Sequence, residues 1–208
     1  MEECGGFKIK TDFIMYVNGP TSSGKTGFIE TLLKNADRLI DRKFDRIIWC
    51  YGIETKEMKD YSGIELHKGP PDFDMLEGDG HKLLILEDLL TYYQKHKSEL
   101  TDLTTKIMHH CNCSIINVVQ NLFAQDRTAR TQSTYVCLMN SPADALQYST
   151  FGRQCFGDRQ RLFKEALADA HSKPYSHLFI DLHPTTDQRL RLLSDIFNEV
   201  GPIVYCER

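Results

Sequence analysis

No apolar run in this 208-residue chain approaches the roughly 18 residues that a membrane-spanning helix needs. The longest, such as residues 83–86 and 114–119, are strand-sized, so no membrane span is expected. The first six residues, MEECGG, are acidic and poor in apolar side chains, which argues against a secretory signal and makes an intracellular protein the expectation. A disulfide framework is also lacking. Seven cysteines, at positions 4, 50, 111, 113, 137, 155 and 206, are odd in number and scattered, and several fall inside apolar runs, the pattern of reduced thiols. The run His109-His110-Cys111-Asn112-Cys113 has no second ligand pair at comparable spacing, so local packing is the better reading than a zinc site. Positive charge is not in excess: 25 Lys and Arg against 29 Asp and Glu leave −4. That excludes a polybasic nucleic-acid coat but not a ring whose central channel alone is basic. Low-complexity segments and internal repeats are absent, and only residues 1–10 read as a flexible terminus.

What is present is ordinary for a globular chain, 41% hydrophobic and 26% charged, and its length fits a single domain. Strands are expected at 13–18, 46–51, 64–67, 81–86, 114–119, 134–139 and 176–181. Helical spacing follows the first strand, with apolar residues at 28, 29, 32 and 33. Further helices are expected in the latter half of 89–110, over 143–154 with Pro142 in its first turn, over 159–171, and over 186–197 as a last amphipathic helix. Strands that are apolar throughout, alternating with helices, imply a three-layer α/β fold around a central, mainly parallel sheet.

The chemistry sits at three points along this pattern. Between the first strand and the first helix lie Gly19, Pro20, Thr21, Ser22, Ser23, Gly24, Lys25 and Thr26, the spacing of a phosphate-binding loop. Small residues let consecutive backbone N–H groups curl around phosphates, and the helix then presents its positive end. Lys25 is expected to reach the β- and γ-phosphates, and the Thr26 hydroxyl to hold Mg²⁺. The bound triphosphate is expected to be ATP, because no Asn-Lys-x-Asp guanine motif occurs. The strand at 81–86 delivers Glu87 and Asp88 to its carboxyl end, the edge where open α/β sheets bind ligands. One acid is expected to help hold Mg²⁺ through water and the other to polarise the attacking water. Asp usually comes first in such pairs; Glu87 in the metal-side position leaves the two roles interchangeable. Gln120 ends the 114–119 strand, where an amide can touch both the γ-phosphate and the water.

Taken in order, segments 13–26 (FIMYVNGPTSSGKT), 47–52 (IIWCYG), 83–89 (LLILEDL), 109–123 (HHCNCSIINVVQNLF) and 174–182 (PYSHLFIDL) resemble a known family. It is the genome-packaging ATPases of Polinton/Maverick elements and adintovirus-like viruses, relatives of the poxvirus packaging ATPase in the FtsK/HerA superfamily of P-loop ATPases. The resemblance runs over residues 13–197. It implies an FtsK/HerA-like ATPase core, ATP and Mg²⁺ as ligands, and a motor that moves double-stranded viral DNA into a preformed capsid. Implied partners are further copies of the chain in a ring of five or six, the DNA, and a capsid or portal vertex; the compartment is the host nucleus, a viral factory or the virion. Cys111 departs from the pattern, since the family usually carries Arg after the paired His.

Ring motors complete each site with an arginine from the next subunit, because guanidinium stabilises charge on the transferring phosphoryl group. Arg153 and Arg130 are the first candidates and Arg127 the third, against the ordinary fate of a solvated surface arginine. His109 and His110 are expected to cap or pack a helix end. Two other functions compete with the motor: a small nucleoside or nucleotide kinase, and a nucleotide-binding assembly switch without motor activity. Against the kinase stand the adjacent acids and the terminal Gln, which favour hydrolysis.

Overall fold

The computed structural model describes residues 7–53, 62–107, 110–124 and 127–207. Its strands are β1 (Ile14–Asn18), β2 (Arg46–Tyr51), β3 (Glu65–Lys68), β4 (Lys82–Glu87), β5 (Cys113–Val119), β6 (Tyr135–Met139), β7 (His177–Asp181), β8 (Leu192–Ser194) and β9 (Ile203–Tyr205). The helices used below are α1 (Lys25–Lys34), α2 (Ala36–Leu39), α3 (Leu90–Lys95), α4 (Lys97–Asp102), α5 (Arg127–Thr131), α6 (Ala145–Phe156) and α7 (Gln160–Ala170). Two compact units emerge, one built from Asp12–Asn18 and Lys43–Thr134, the other from Met1–Thr11, Gly19–Arg42 and Tyr135–Arg208.

The first of these is a parallel sheet in the order β3-β2-β4-β5-β1. The inner strands β2, β4 and β5 are largely apolar on both faces, with Ile48, Trp49, Leu83, Leu84, Ile85, Ile115 and Ile116 all fully buried, while the edge strand β3 is polar and mostly exposed. The register aligns the strand ends. Glu87 pairs with Tyr51 on one side and Val118 on the other, while Asn18 pairs with Val119. The carboxyl ends of β1 and β4 therefore flank the last two residues of β5. At the opposite edge the fully buried Lys82 places its ammonium among the carbonyls of Gly78, Gly80 and Cys111. His81, equally buried, stacks on Phe44 and shares a 3.3 Å contact with the Ser114 hydroxyl. Helix formation after β4 starts at Leu90, earlier than the latter half of 89–110, and continues through α3 and α4 into a π turn at Leu103–Ile107. Burial of Tyr93 and Leu100 explains it, since both anchor a stretch whose polar residues conceal its period.

The second unit is antiparallel, β6-β7-β8-β9, with α1, α2, α6 and α7. Phe28 and Ile29 of α1 are buried, and Phe28 meets the rings of His177 and Phe197 at 4.8 and 5.3 Å. Helices α6 and α7 approach so closely that a Cβ at Gly152 would lie 2.2 Å from Phe163 Cδ1. The helix expected over 186–197 is not there. A short 3₁₀ turn at Gln188–Leu190 leads instead into β8, whose Leu192 and Leu193 pair with Ile180 and Phe179 of β7. Adjacent leucines serve either structure, and pairing with a buried strand distant in sequence overrides the helical spacing. The strand β9 has no counterpart in the sequence reading.

Among the described residues no helix is long and apolar enough to cross a membrane, and no cluster of His, Cys, Asp or Glu could hold a metal. The six described cysteines carry no disulfide, and burial raises the thiols of Cys50 and Cys113 to about 12, the behaviour of inert core thiols. His109 lies outside the described residues, and His110 is exposed.

Candidate functional site

The loop that follows β1 is shaped by backbone conformations that few residues adopt. Ser22 at φ 63° and Gly24 at φ 94° are left-handed, separated by the buried Ser23. Alternation of this kind turns a chain into a concave anion-binding nest. The curl is tight. A Cβ at Gly19 would lie 2.5 Å from Ser23 Oγ and 2.7 Å from Met139 Cβ, so only glycine fits. Gly24 is also the residue from which α1 starts, its carbonyl accepting from the Phe28 N–H at 2.9 Å. The Lys25 ammonium folds back over the loop and donates to the carbonyls of Gly19 and Pro20, both at 2.8 Å. Thr26 stands in the first turn of α1, partly exposed, while Thr21 and Ser22 are exposed on the rim. A cradle that a side chain would fill, a helix N-terminus behind it and a cation held across it fit a polyphosphate chain.

At the carboxyl end of β4 the two acids differ in setting. Glu87 is buried, and its Oε2 accepts a 3.0 Å hydrogen bond from the Trp49 indole N–H. Asp88 is exposed, in left-handed backbone at φ 55°. The turn is locked from β2: Gly52 N–H donates to the Glu87 carbonyl at 2.9 Å, and a Cβ on Gly52 would lie 2.3 Å from Asp88 O. Gln120, exposed at the end of β5, points its amide nitrogen at Asp88 Oδ1 across 3.5 Å, the outer limit of a hydrogen bond. Glu87, Asp88 and Gln120 thus form one polar group at one strand edge, with Trp49 as a member that sequence reasoning missed. A lone Trp in an apolar strand gives no sign of its hydrogen-bond partner.

The candidate arginines are set differently. Arg130 is not a solvated surface residue: on α5 it is only 9% exposed, with its guanidinium over the Phe123 ring at 4.3 Å. Arg153 on α6 and Arg127 on α5 are exposed.

Comparison with solved structures gives the fold. The chain is similar to the genome packaging NTPase B204 of Sulfolobus turreted icosahedral virus 2 in complex with sulfate, at a TM-score of 0.59 and 16% identity over 86% of this chain and 95% of that one. The same protein in complex with ATP-gammaS superposes at 0.56 and 14% identity, covering 84% and 94%. B204 described as the DNA-packaging ATPase of Sulfolobus turreted icosahedral virus gives 0.56 and 13%, covering 84% and 94%. No family model and no curated protein matches the sequence. The fold is mixed α/β with a mostly parallel sheet, that of P-loop NTPases.

Proposed function

We propose that the chain is an ATP-hydrolysing motor that moves double-stranded viral DNA into a capsid. One observation carries the hydrolytic part. Asn18, after which the chain passes directly into the Gly19 to Thr26 loop, and Glu87 pair with adjacent residues of the same strand, Val119 and Val118. The loop's point of departure and the acids therefore share one strand edge, the edge at which such sheets bind ligands.

Under this reading the loop backbone and Lys25 bind and orient the β- and γ-phosphates of ATP. Thr26 and Glu87 would hold Mg²⁺, the acid through water, and the Trp49 N–H keeps the Glu87 carboxylate in one orientation. Bound Mg²⁺ supplies neutralisation of charge on the phosphate oxygens. Asp88, exposed and facing Gln120, orients and polarises the attacking water, and Gln120 senses whether the γ-phosphate is present. Arg153 reaches a neighbouring subunit's site in a ring of five or six copies; its exposure supports it over Arg130, which is engaged with Phe123. The packaging role rests on the ordered motifs and on the likeness in fold to viral packaging NTPases. It brings with it DNA, a capsid or portal vertex, and a host nucleus, viral factory or virion as the setting. Kinship with the packaging ATPases of Polinton/Maverick or adintovirus-like elements belongs to the same proposal.

Labelled ATP offered with a panel of nucleosides and nucleotides, with and without duplex DNA, tests the reading. Release of inorganic phosphate stimulated by DNA is expected. Phosphorylated nucleoside without DNA stimulation would establish a kinase instead, and binding without turnover an assembly switch.

A further inference from the structure

The segment before β7 was singled out by the sequence, yet neither the loop nor the acids account for it. Its tyrosine, Tyr175, lies against the phosphate loop: a Cβ at Gly24 would meet Tyr175 Cδ1 at 3.2 Å and Tyr175 Cβ at 3.4 Å. The residue is nonetheless 71% exposed, and among the described residues no hydrogen bond or aromatic partner engages it. Its backbone is left-handed at φ 59°, a conformation that costs a tyrosine energy and would suit glycine or asparagine better. The turn that imposes this conformation is firmly held. Asn140 Nδ2 donates to the carbonyls of His171 and Lys173, both at 2.9 Å, the Asn140 N–H donates to Ser176 O at 2.9 Å, and Ser176 Oγ donates to Lys173 O at 2.5 Å. Anchoring on both sides holds the backbone that carries this solvent-facing aromatic ring beside Gly24.

From this geometry we infer that Tyr175 is the platform on which the base of the bound nucleotide stacks. The inference rests on the reading of Gly19 to Thr26 as a triphosphate loop. A nucleotide whose phosphates occupy that loop extends by one ribose to its base, and a flat apolar surface at the loop's border is what a base requires. Stacking on a π face tolerates different bases but grows with ring area, so purines are favoured over pyrimidines. A preference for purine over pyrimidine triphosphates thus has a physical source in this chain.

Equilibrium binding of ATP, UTP and inorganic tripolyphosphate to the full chain and to Tyr175→Phe, Tyr175→Ala and Tyr175→Gly tests it. Wild type and Tyr175→Phe should bind ATP alike and prefer it to UTP. Tyr175→Ala and Tyr175→Gly should bind ATP roughly tenfold more weakly, with the purine preference flattened and tripolyphosphate affinity unchanged. Because glycine relieves the left-handed strain, Tyr175→Gly should also melt no lower than wild type, which separates lost stacking from lost folding. Unchanged ATP affinity in the alanine and glycine variants would overturn the inference, as would equal losses for ATP and tripolyphosphate. If wild type bound neither ATP nor tripolyphosphate, the loop itself would have been misread and the inference would fall with it.

Discussion

The indole nitrogen of Trp49 donates to Oε2 of Glu87 at 3.0 Å, from β2 to its neighbour β4. Trp49 pairs directly with Ile85, so Glu87 is its diagonal neighbour on the same face of the sheet. The bond gives the first acid a fixed orientation and leaves Asp88, one residue on, as the exposed one. Two adjacent carboxylates that the sequence leaves interchangeable thereby differ in setting, Glu87 buried against Trp49 and Asp88 exposed beside Gln120.

Removing the donor while keeping an aromatic ring isolates that division. Trp49→Phe leaves a buried carboxylate oxygen short of one charge-assisted bond, and the chain should lose about 1.5–3 kcal/mol of stability. Under the proposed function, in which Trp49 orients the acid that would hold Mg²⁺, steady-state ATP hydrolysis should fall roughly 10- to 100-fold with nucleotide affinity nearly unchanged. Full activity would mean that Glu87 needs no orientation.

Asparagine tolerates left-handed backbone, so Asp88→Asn preserves the turn and removes only the charge. Turnover should drop by about 10² or more while ATP still binds. Glu87→Gln should also bind ATP and hydrolyse it poorly, but its defect should ease as Mg²⁺ is raised, whereas that of Asp88→Asn should not. Identical responses of both variants to Mg²⁺ would contradict the assigned roles.

Stability should depend on pH through His177. Burial against Phe28 and Phe197 pushes its imidazole from 6.5 down to about 4, so the folded chain keeps it neutral. The unfolded chain takes up the proton first. The contribution is therefore whole above about pH 6.5 and is lost as pH falls through 4, by about 3 kcal/mol at most. Denaturant melts of wild type and His177→Gln between pH 7 and 4 should diverge, the variant showing the shallower slope.

Gly152→Ala tests the packing of α6 on α7. Its Cβ would fall 2.2 Å from Cδ1 of Phe163, a fully buried ring with nowhere to move. A loss of about 1–3 kcal/mol is expected, read as a lower thermal midpoint, despite alanine's better helix propensity.

Much of the fold was legible where one element dictates its own structure. Residues 46–51 read as a buried strand and form β2 with those bounds, and the small residues of the loop announce its curl, in which Ser22 and Gly24 turn out left-handed. What escaped the sequence depends on distant partners. Leu192 and Leu193 satisfy a helical period as well as a strand, and β7 alone decides between them. Arg130 could be named as a candidate arginine, but nothing in the sequence places its guanidinium over Phe123. Glu87, Asp88 and Gln120 could be placed at their strand ends from the sequence, whereas the bond from Trp49 to Glu87 and the approach of Tyr175 to Gly24 could not. Each is a contact with a residue far along the chain, which no local pattern encodes.

The central claim is tested most directly by the rate of phosphate release from ATP, with and without duplex DNA, for wild type and Lys25→Ala. Lys25 bridges the loop and is the one side chain whose loss should leave the sheet intact while removing the charge that the phosphates meet. The account predicts DNA-stimulated hydrolysis by wild type and none above background by Lys25→Ala. Hydrolysis by the variant at the wild-type rate, or a wild-type rate indifferent to DNA, would contradict it.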